Sequence, residues 1–591
     1  MLKKLLVSFI ILAASYSFAL THFYDVNTIA KDSVLNDDLY IHSGAVVQCD
    51  PNYFRIFTVK GFIINEGTIR NDPVNGQYFY VYAEGDVNNN GTWGGRNLVL
   101  SGSSPQSISS GEFTPFEPTA LISQNTSGIV AGSHVFVRNC TVNFNNNEMA
   151  ISAGYDFNIQ SGYITNAVLI GGNGAVLRGE LEPYLENFTG IDLNLEGILN
   201  ISSNVMFTGS TYNYAEIKNN GTSNCFPFVS GDFYNYGSLI DNISGYNYFY
   251  IMGNVYNDGI ISCRNFILIG SSVQTVSCSD STVFEPVSFI SQNTSGITTG
   301  SDLYFKNCVI QASGSEIDLN GHTAFINSEY LKEIKISNGT LNMSAGAYLE
   351  NTVLEDITLE GETVIGFNND SYGELINNSV MMNDGSVRTF EIYGDLVNTA
   401  VMTTGTAGDL YVHAYGNITN SGTMDYYQTL VKGNTDQEII VLDGAVIENT
   451  RFYLTSELET APFEWQYNYA PIDLPNTSNE TTFQMYFDNT VIGEEYFGTY
   501  FCETGAGKSR NIYIYNGTLP VPVITDGTYS SGTAEIQWEN IPAAYSYKIY
   551  SSDDPYADPA TWTYETEVFT NSCSLTDQSD AKKFYFVKAV Y

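Results

Sequence analysis

Positive charge is scarce in this chain. Lys and Arg together number 23 against 64 Asp and Glu, giving a formal net charge of −41. A nucleic-acid-binding surface needs a basic footprint to neutralise phosphates, so that class is excluded. Acidity dispersed over so many positions reads as a solvated surface rather than a single site. Histidine is rarer still, with five residues at positions 22, 42, 134, 322 and 413 that are isolated from one another in sequence. The eight cysteines (49, 140, 225, 263, 278, 308, 502 and 573) form no CxxC pair. That density is too low for a disulfide-built scaffold, and no Cys/His spacing suits zinc. Charged residues make up only 15% of the chain, too few to clothe the polar faces of long amphipathic helices. Apart from the first residues, no apolar run approaches the roughly 20 residues of a transmembrane helix.

The one apolar run sits at the start. Lys3 and Lys4 precede Leu5 to Ala14, and Ser17-Phe18-Ala19 has the small-x-small pattern of a cleavage site. Residues 1–19 are therefore expected to be a signal peptide, too short to remain as a membrane span. The mature protein is expected to be secreted, extracellular or at the cell surface.

What the chain has in abundance is repetition. Residues 116–140, FEPTALISQNTSGIVAGSHVFVRNC, return at 284–308 as FEPVSFISQNTSGITTGSDLYFKNC, identical at 15 of 25 positions. LVLSGSSPQSI (98–108) matches FILIGSSVQTV (266–276), with a worn copy, TLVKGNTDQEI, at 429–439. YLEN recurs at 184–187 and 348–351, and LEG at 195–197 and 359–361. NTSNETTFQMYFDNTVI (476–492) reads as a decayed third version of the opening stretch. Three modules follow, at about 20–183, 184–347 and 348–517, with a different segment, 518–591, after them.

A smaller unit lies inside the modules: an apolar strand, Gly-Asp or Gly-Asn, an apolar residue, then Asn-x-Gly. It is visible in FPFVSGDFYNYGSLI (226–240), YFYIMGNVYNDGII (248–261), RTFEIYGDLVNTAV (388–401) and LYVHAYGNITNSGTM (410–424). Gly231 to Gly253 spans 22 residues, as does Gly394 to Gly416. Short strands rich in aliphatic and aromatic residues, repeating at that interval, predict the coils of a right-handed parallel β-helix over 20–517, an all-β solenoid. One coil cannot bury its own apolar face, but stacked coils can. At roughly 4.8 Å per coil, 20 or more coils would extend near 100 Å. Cys140 and Cys308 are sister positions 168 residues apart, about seven coils and over 30 Å by the same rise. They should not pair, and should face the core instead.

The run NNNGTWGGRNLVLSGSSPQSISSGEF, continuing through ALISQNTSGIVAGSHVFVRNCTVNF, resembles the repeats of secreted bacterial right-handed β-helix surface proteins. That resemblance implies an adhesin-like or structural role. The tail resembles a fibronectin type III domain, an immunoglobulin-like β-sandwich. Trp538 falls on its second strand and Phe584-Tyr585-Phe586-Val587 on its penultimate one. The chain stops where a last strand would begin, which is expected to leave the domain short or its edge open to a partner strand.

Several motifs weaken on inspection. Cys502-Glu-Thr-Gly-Ala-Gly-Lys-Ser509 resembles a phosphate loop but begins with Cys502 where Gly is required. Leu474-Pro475-Asn476-Thr477-Ser478 resembles a sortase signal without its final Gly. Asp553, Asp554 and Asp558, interleaved with Pro555 and Pro559, read as turn residues before a calcium site. The Tyr-rich stretch 244–252 reads as an aromatic strand ladder before a sugar platform. Pectin-cleaving hydrolases share the β-helix fold, but of their short motifs only Asn434-Thr435-Asp436 is present. Glu117 and Glu285 are the one acid or base that the two copies of the repeated stretch share unchanged, and each precedes a proline. No catalytic, cofactor-binding or metal-ligating residue is assigned. The expected function is a non-catalytic extracellular surface protein, a structural or adhesive stalk with a C-terminal docking domain. Its expected partners are cell-surface components, carbohydrate or further copies of itself. The alternatives are a carbohydrate-active β-helix enzyme, a lyase or hydrolase, and a self-assembling sheath or fibre subunit.

Overall fold

The computed structural model describes residues 19–591 except 112, 220, 222, 243, 328–329, 443, 459–462, 468–469, 472–480, 488–495, 497, 506, 516, 518–520, 542–543, 545, 557–560, 577–582 and 591. The leader lies outside these residues save Ala19, as do the sortase-like pentapeptide, Asp558, and most of 476–492. No α-helix occurs among the described residues, and the strands group into two compact units, up to 329 and from 330 onward.

The first unit is a parallel β-solenoid. Short strands pair with the strand one coil further on: Thr211–Asn213 with Phe233–Asn235, and Phe233–Asn235 with Val255–Asn257, each in parallel. The step there is the 22 residues read from the sequence, Phe233 opposite Val255 and Ser238 opposite Ile260. Strand periodicity of two sends Phe233 and Val255 inward and Tyr234 and Tyr256 outward. The core is a continuous column of aliphatic and aromatic side chains, among them Trp93, Phe116, Phe207, Phe233 and Phe249. Cys140 and Cys308 face that core at 1% exposure each and neither forms a disulfide. Burial pushes the Cys140 thiol up to about 12, so it behaves as a small apolar group.

Two features explain why the recurrent residues recur. At the corners, glycine is required because the preceding coil's backbone stands where a Cβ would project. A Cβ on Gly231 would meet the Gly209 carbonyl oxygen at 1.8 Å, and one on Gly253 would meet that of Gly231 at 2.2 Å. The Asp or Asn that follows accepts an amide from the next coil: Asp232 Oδ1 from Asn254 N–H at 2.8 Å, and Asn254 Oδ1 from Thr275 N–H at 2.8 Å. At the strand ends a buried asparagine ladder runs along the axis, Asn213 Nδ2 donating to Asn235 Oδ1 at 2.8 Å and Asn235 Nδ2 to Asn257 Oδ1 at 2.7 Å.

The glutamine of each Gly-x-x-x-Gln repeat is a clip between coils. Gln274 Nε2 donates to the carbonyls of Ile251 (3.2 Å) and Gly253 (2.6 Å). Its Oε1 accepts the Gly270 amide (2.8 Å) and Asn293 Nδ2 (3.0 Å). Gln106 repeats this with Ala83, Gly85, Gly102 and Asn125. Asn125 and Asn293 belong to the SQNTSG segments, so the two repeated motifs are halves of one buried hydrogen-bond unit. The exposed sides repeat as well, since Glu117 pairs with Arg138 where Glu285 pairs with Lys306.

The second unit opens with long parallel strands, Tyr330–Met343, Tyr348–Ile365 and Asn369–Asn383. Short coils with the same 22-residue step follow, Leu396 opposite Ile418 and Val401 opposite Thr423. Its details copy the first unit. Asn187 and Asn351, and Asp192 and Asp356, all have φ between 47° and 53°. Asp192 and Asp356 each accept one amide from the next coil at 2.9 Å, from Ser210 and Glu374. Glycine corners and the asparagine ladder return as Gly373, Gly394 and Gly416 and as Asn377, Asn398 and Asn420.

The coil pattern does not run unbroken to 517. After Thr450–Thr455 the chain turns antiparallel: Thr482–Phe487 pairs with Thr450–Thr455, and Glu464–Tyr467 with Gly498–Thr504. Ile512–Tyr515 then returns to pair in parallel with Gln437–Val441. The cause is compositional. No glycine occurs between Gly444 and Gly493, so the tight corners of a coil cannot be built there. The antiparallel strands instead cover the edge of Thr450–Thr455, which would otherwise stand open. Gln437 keeps its clip with a changed partner, its Oε1 accepting Arg510 Nε at 2.8 Å in place of an asparagine amide.

Residues 524–590 form two small antiparallel sheets. One contains Ile524–Ser530, Thr533–Trp538 and Ser572–Leu575, the other Thr563–Val568, Ser546–Ser552 and Phe584–Val590. Their shared core includes Trp538, Tyr547, Ile549 and Val587.

Candidate functional site

The coils of the second unit line up two outward columns of side chains that the sequence holds far apart. Parallel register places Asp370, Glu391 and His413 in one column. Two residues further along each strand or corner, Tyr372, Tyr393 and Tyr415 form the next. The tyrosine rings stack at 4.8 and 4.7 Å between centroids. Lys432 closes both columns, its Nζ 3.1 Å from His413 Nδ1 and 3.3 Å from Tyr415 Oη, and 5.4 Å from the Tyr415 ring centroid.

His413 Nδ1 is also 2.6 Å from Glu391 Oε1. One ring nitrogen cannot at once donate to the carboxylate and accept from the ammonium. In one arrangement Nδ1–H donates to Glu391, which leaves the Nε2 lone pair to take a proton and turns Lys432 toward Tyr415. In the other, Nε2 carries the ring proton and Lys432 donates to the Nδ1 lone pair. The two arrangements differ in which ring nitrogen carries the proton, and in both Glu391, His413 and Lys432 lie within one hydrogen-bonded group. Burial first, and then the Glu391 carboxylate, push the Tyr415 phenol up to about 12, which keeps it a proton donor at neutral pH. Burial and then Glu391 likewise raise Asp370. Sequence reading passed over this group because Glu391, His413 and Lys432 belong to no short motif. The signal was the 22-residue step, which sets Glu391 against His413 and Tyr393 against Tyr415.

The remaining histidines also find neighbours through the coils. His22 Nδ1 lies 2.9 Å from His42 Nε2. His134 Nδ1 accepts the Asp156 amide at 3.2 Å, and His322 lies 3.7 Å from Asp302. No group of three or more His, Cys, Asp or Glu side chains is placed to hold a metal ion among the described residues.

The other sequence candidates have structural duties. The phosphate-loop-like segment is a hairpin, with Glu503 opposite Lys508 and Thr504 opposite Gly507 in antiparallel pairing. Asp436 accepts the Asn511 amide at 2.8 Å, a bond of the kind that the Asp of the Gly-Asp corners makes. Asp554 accepts the Tyr556 amide at 3.0 Å in a turn. In the Tyr-rich stretch, Tyr248 stacks on Phe226 at 5.2 Å and Arg264 covers Tyr246 at 5.2 Å. Rings that stack on one another present edges and hydroxyls, not the open faces a sugar ring needs.

No helix among the described residues is long and apolar enough to cross a membrane. Compared with known proteins, the chain matches no family model and no curated sequence.

Proposed function

We propose that this is a non-catalytic extracellular surface protein whose right-handed β-helical coils serve as a structural or adhesive stalk. The fibronectin type III-like tail acts as its docking end. The observation that carries this reading is the use made of the repeated residues. Gln106, Gln274, Asn125 and Asn293 are consumed by hydrogen bonds between coils, and the corner glycines by close backbone approach. Repetition here builds length and rigidity, not a site. The leader-like residues 1–19 support export, and the dispersed negative charge supports solubility. Fractionation of producing cells should recover the chain outside the cytoplasm, bound to the surface or released. Recovery in the cytoplasm would refute the proposal.

One observation favours a second reading, a carbohydrate-active enzyme: the convergence of Glu391, His413, Tyr415 and Lys432. Incubating the purified chain with a panel of neutral and acidic polysaccharides decides between the two. The stalk reading expects no depolymerisation. Chain cleavage that disappears in His413→Ala and in Glu391→Gln would establish the enzyme.

A further inference from the structure

Leader cleavage after Ala19 would leave Leu20-Thr21-His22 at the start of the mature chain. A free α-amine two residues ahead of a histidine is a chelating arrangement. The amine, the two intervening amide nitrogens and the imidazole Nδ1 can reach one metal through fused rings of five, five and six atoms. We propose that the mature N-terminus is a binding site for Cu(II) or Ni(II), formed by the Leu20 amine, the Thr21 and His22 amide nitrogens and His22 Nδ1, with His42 beside it as an additional ligand. The inference rests on the leader reading given above.

Three observations of the structure support it. The first is the position of His42. Its Nε2 is 2.9 Å from His22 Nδ1, the nitrogen that the chelate requires. Two nitrogens bound to one metal at about 2.0–2.1 Å and at a right angle lie about 2.9 Å apart, so this spacing already suits two ligands of one ion. When Nδ1 turns its lone pair to the metal, the hydrogen bond between the imidazoles is exchanged for a second imidazole contact. His42 is held in place for this by Tyr24, stacked on it at 4.1 Å, and by Tyr40 at 4.4 Å.

The second observation is that the segment can move off its partner strand at small cost. Leu20–Phe23 belongs to the first coil and shows only exposed and half-buried positions. Ala19 holds Asp38 through its carbonyl at 3.0 Å, and cleavage removes that carbonyl. Curling residues 20–22 around a metal gives up pairing with Asp38 to Tyr40. The bond from the His42 amide to the Phe23 carbonyl, 2.9 Å, lies beyond the chelate and remains as its anchor.

The third is the donor set. No convergent trio of metal-binding side chains exists among the described residues, so zinc or calcium has no ready cage. Nitrogen ligands in a square plane select Cu(II) and Ni(II), with copper bound more tightly. On binding, the two amide protons and any proton on the amine pass to solvent, and no electron is transferred.

The test uses the chain recovered after export, with its N-terminal mass determined first. Titration with Cu(II) is followed by electron paramagnetic resonance and visible absorption. The expected result is one equivalent bound with four equatorial nitrogens. His22→Ala and a chain that retains Ala19 should both lose this spectrum. His42→Ala should keep the four-nitrogen spectrum but bind about 10–100-fold more weakly, the usual effect of removing a group that supports a metal site. A chain shown by mass to begin at Leu20 that binds no stoichiometric copper overturns the site and leaves the leader reading standing. So does a spectrum unchanged by His22→Ala. A mass showing another N-terminus overturns the leader reading. In that case, full-length chain freed at Leu20 by an inserted protease site tests the chelate alone, and failure to bind copper there overturns it.

Discussion

The residues that matter most individually are the buried polar ones, because each satisfies several backbone groups that have no other recourse. Gln274 is 1% exposed and makes four hydrogen bonds that tie its coil to the one before and the one after. Leaving a buried donor or acceptor unsatisfied costs about 1–3 kcal/mol. Gln274→Ala should therefore destabilise its coils by about 3 kcal/mol or more, with faster hydrogen exchange at Gly270 and in Ile297–Thr299. Exchange at those amides no faster than in the wild type would show that the clip is dispensable. Asp370 presents the opposite case. Burial and then Glu391 raise its carboxyl in the folded chain. A raised folded value means that its stabilising contribution is complete below the ordinary Asp value of about 3.9 and is lost as pH rises through the folded value. Asp370→Asn should accordingly increase thermal stability at pH 7, and the gain should vanish near pH 3. An equal effect at both pH values would assign it to packing instead of charge.

At the scale of the element, the strand and its corner form one unit, and the corner sets the tolerance. A Cβ on Gly394 would stand 1.5 Å from the Gly373 carbonyl oxygen, whereas one on Gly505, in a hairpin turn, would meet nothing within 4 Å. Gly394→Ala should cost about 3 kcal/mol or more, in the range of overpacking and backbone strain, and Gly505→Ala less than about 0.5. Thermal unfolding monitored by circular dichroism compares the two, and equal losses would contradict the corner account. The same corner explains what could be read in advance. Gly231, Gly253, Gly394 and Gly416 announced the coils because the backbone of the preceding coil forbids anything larger, and sequence preserves that constraint at a fixed step. Gln106 and Gln274 were visible as repeats, but their work was not, since their carbonyl partners carry no residue identity. The antiparallel strands after Thr450–Thr455 escaped notice because Glu464–Tyr467 and Thr482–Phe487 are as rich in aromatic residues as the coils. Only the absence of glycine marked the change. Glu391, His413 and Lys432 needed the register itself, which composition does not supply.

For the whole molecule the governing quantity is the imbalance of charge, 64 acids against 23 bases. Many acids are fixed in the architecture: Asp86, Asp192, Asp232, Asp356 and Asp395 each accept an amide from the next coil. Stacking brings like charges together along the coils, and folding must overcome that repulsion. Added salt shortens its range, from a Debye length of about 30 Å at 0.01 M to about 8 Å at 0.15 M. Ion pairs work in the other direction and are weakened by salt, but the bases are too few to pair most of the acids. The expectation is that thermal stability at pH 7 rises between these two salt concentrations. Mild acidification toward pH 5 should raise it as well, because the acids with raised values, Asp38, Asp241 and Asp370, then begin to lose an unfavourable charge. Stronger acid reverses the trend. Arg388 donates to Asp384 through two nitrogens, at 2.9 and 2.6 Å, and this hydrogen bonding holds the Asp384 carboxyl below its ordinary value. A depressed folded value gives stability above the ordinary Asp value that is lost as pH falls through the folded one. Arg388→Ala removes the pair, and should remove part of the loss below pH 4 along with some stability at pH 7. Unfolding curves taken across pH 2–8 at both salt concentrations carry the test: a fall in stability with added salt at neutral pH would mean that attraction, not repulsion, dominates the charge pattern of this chain.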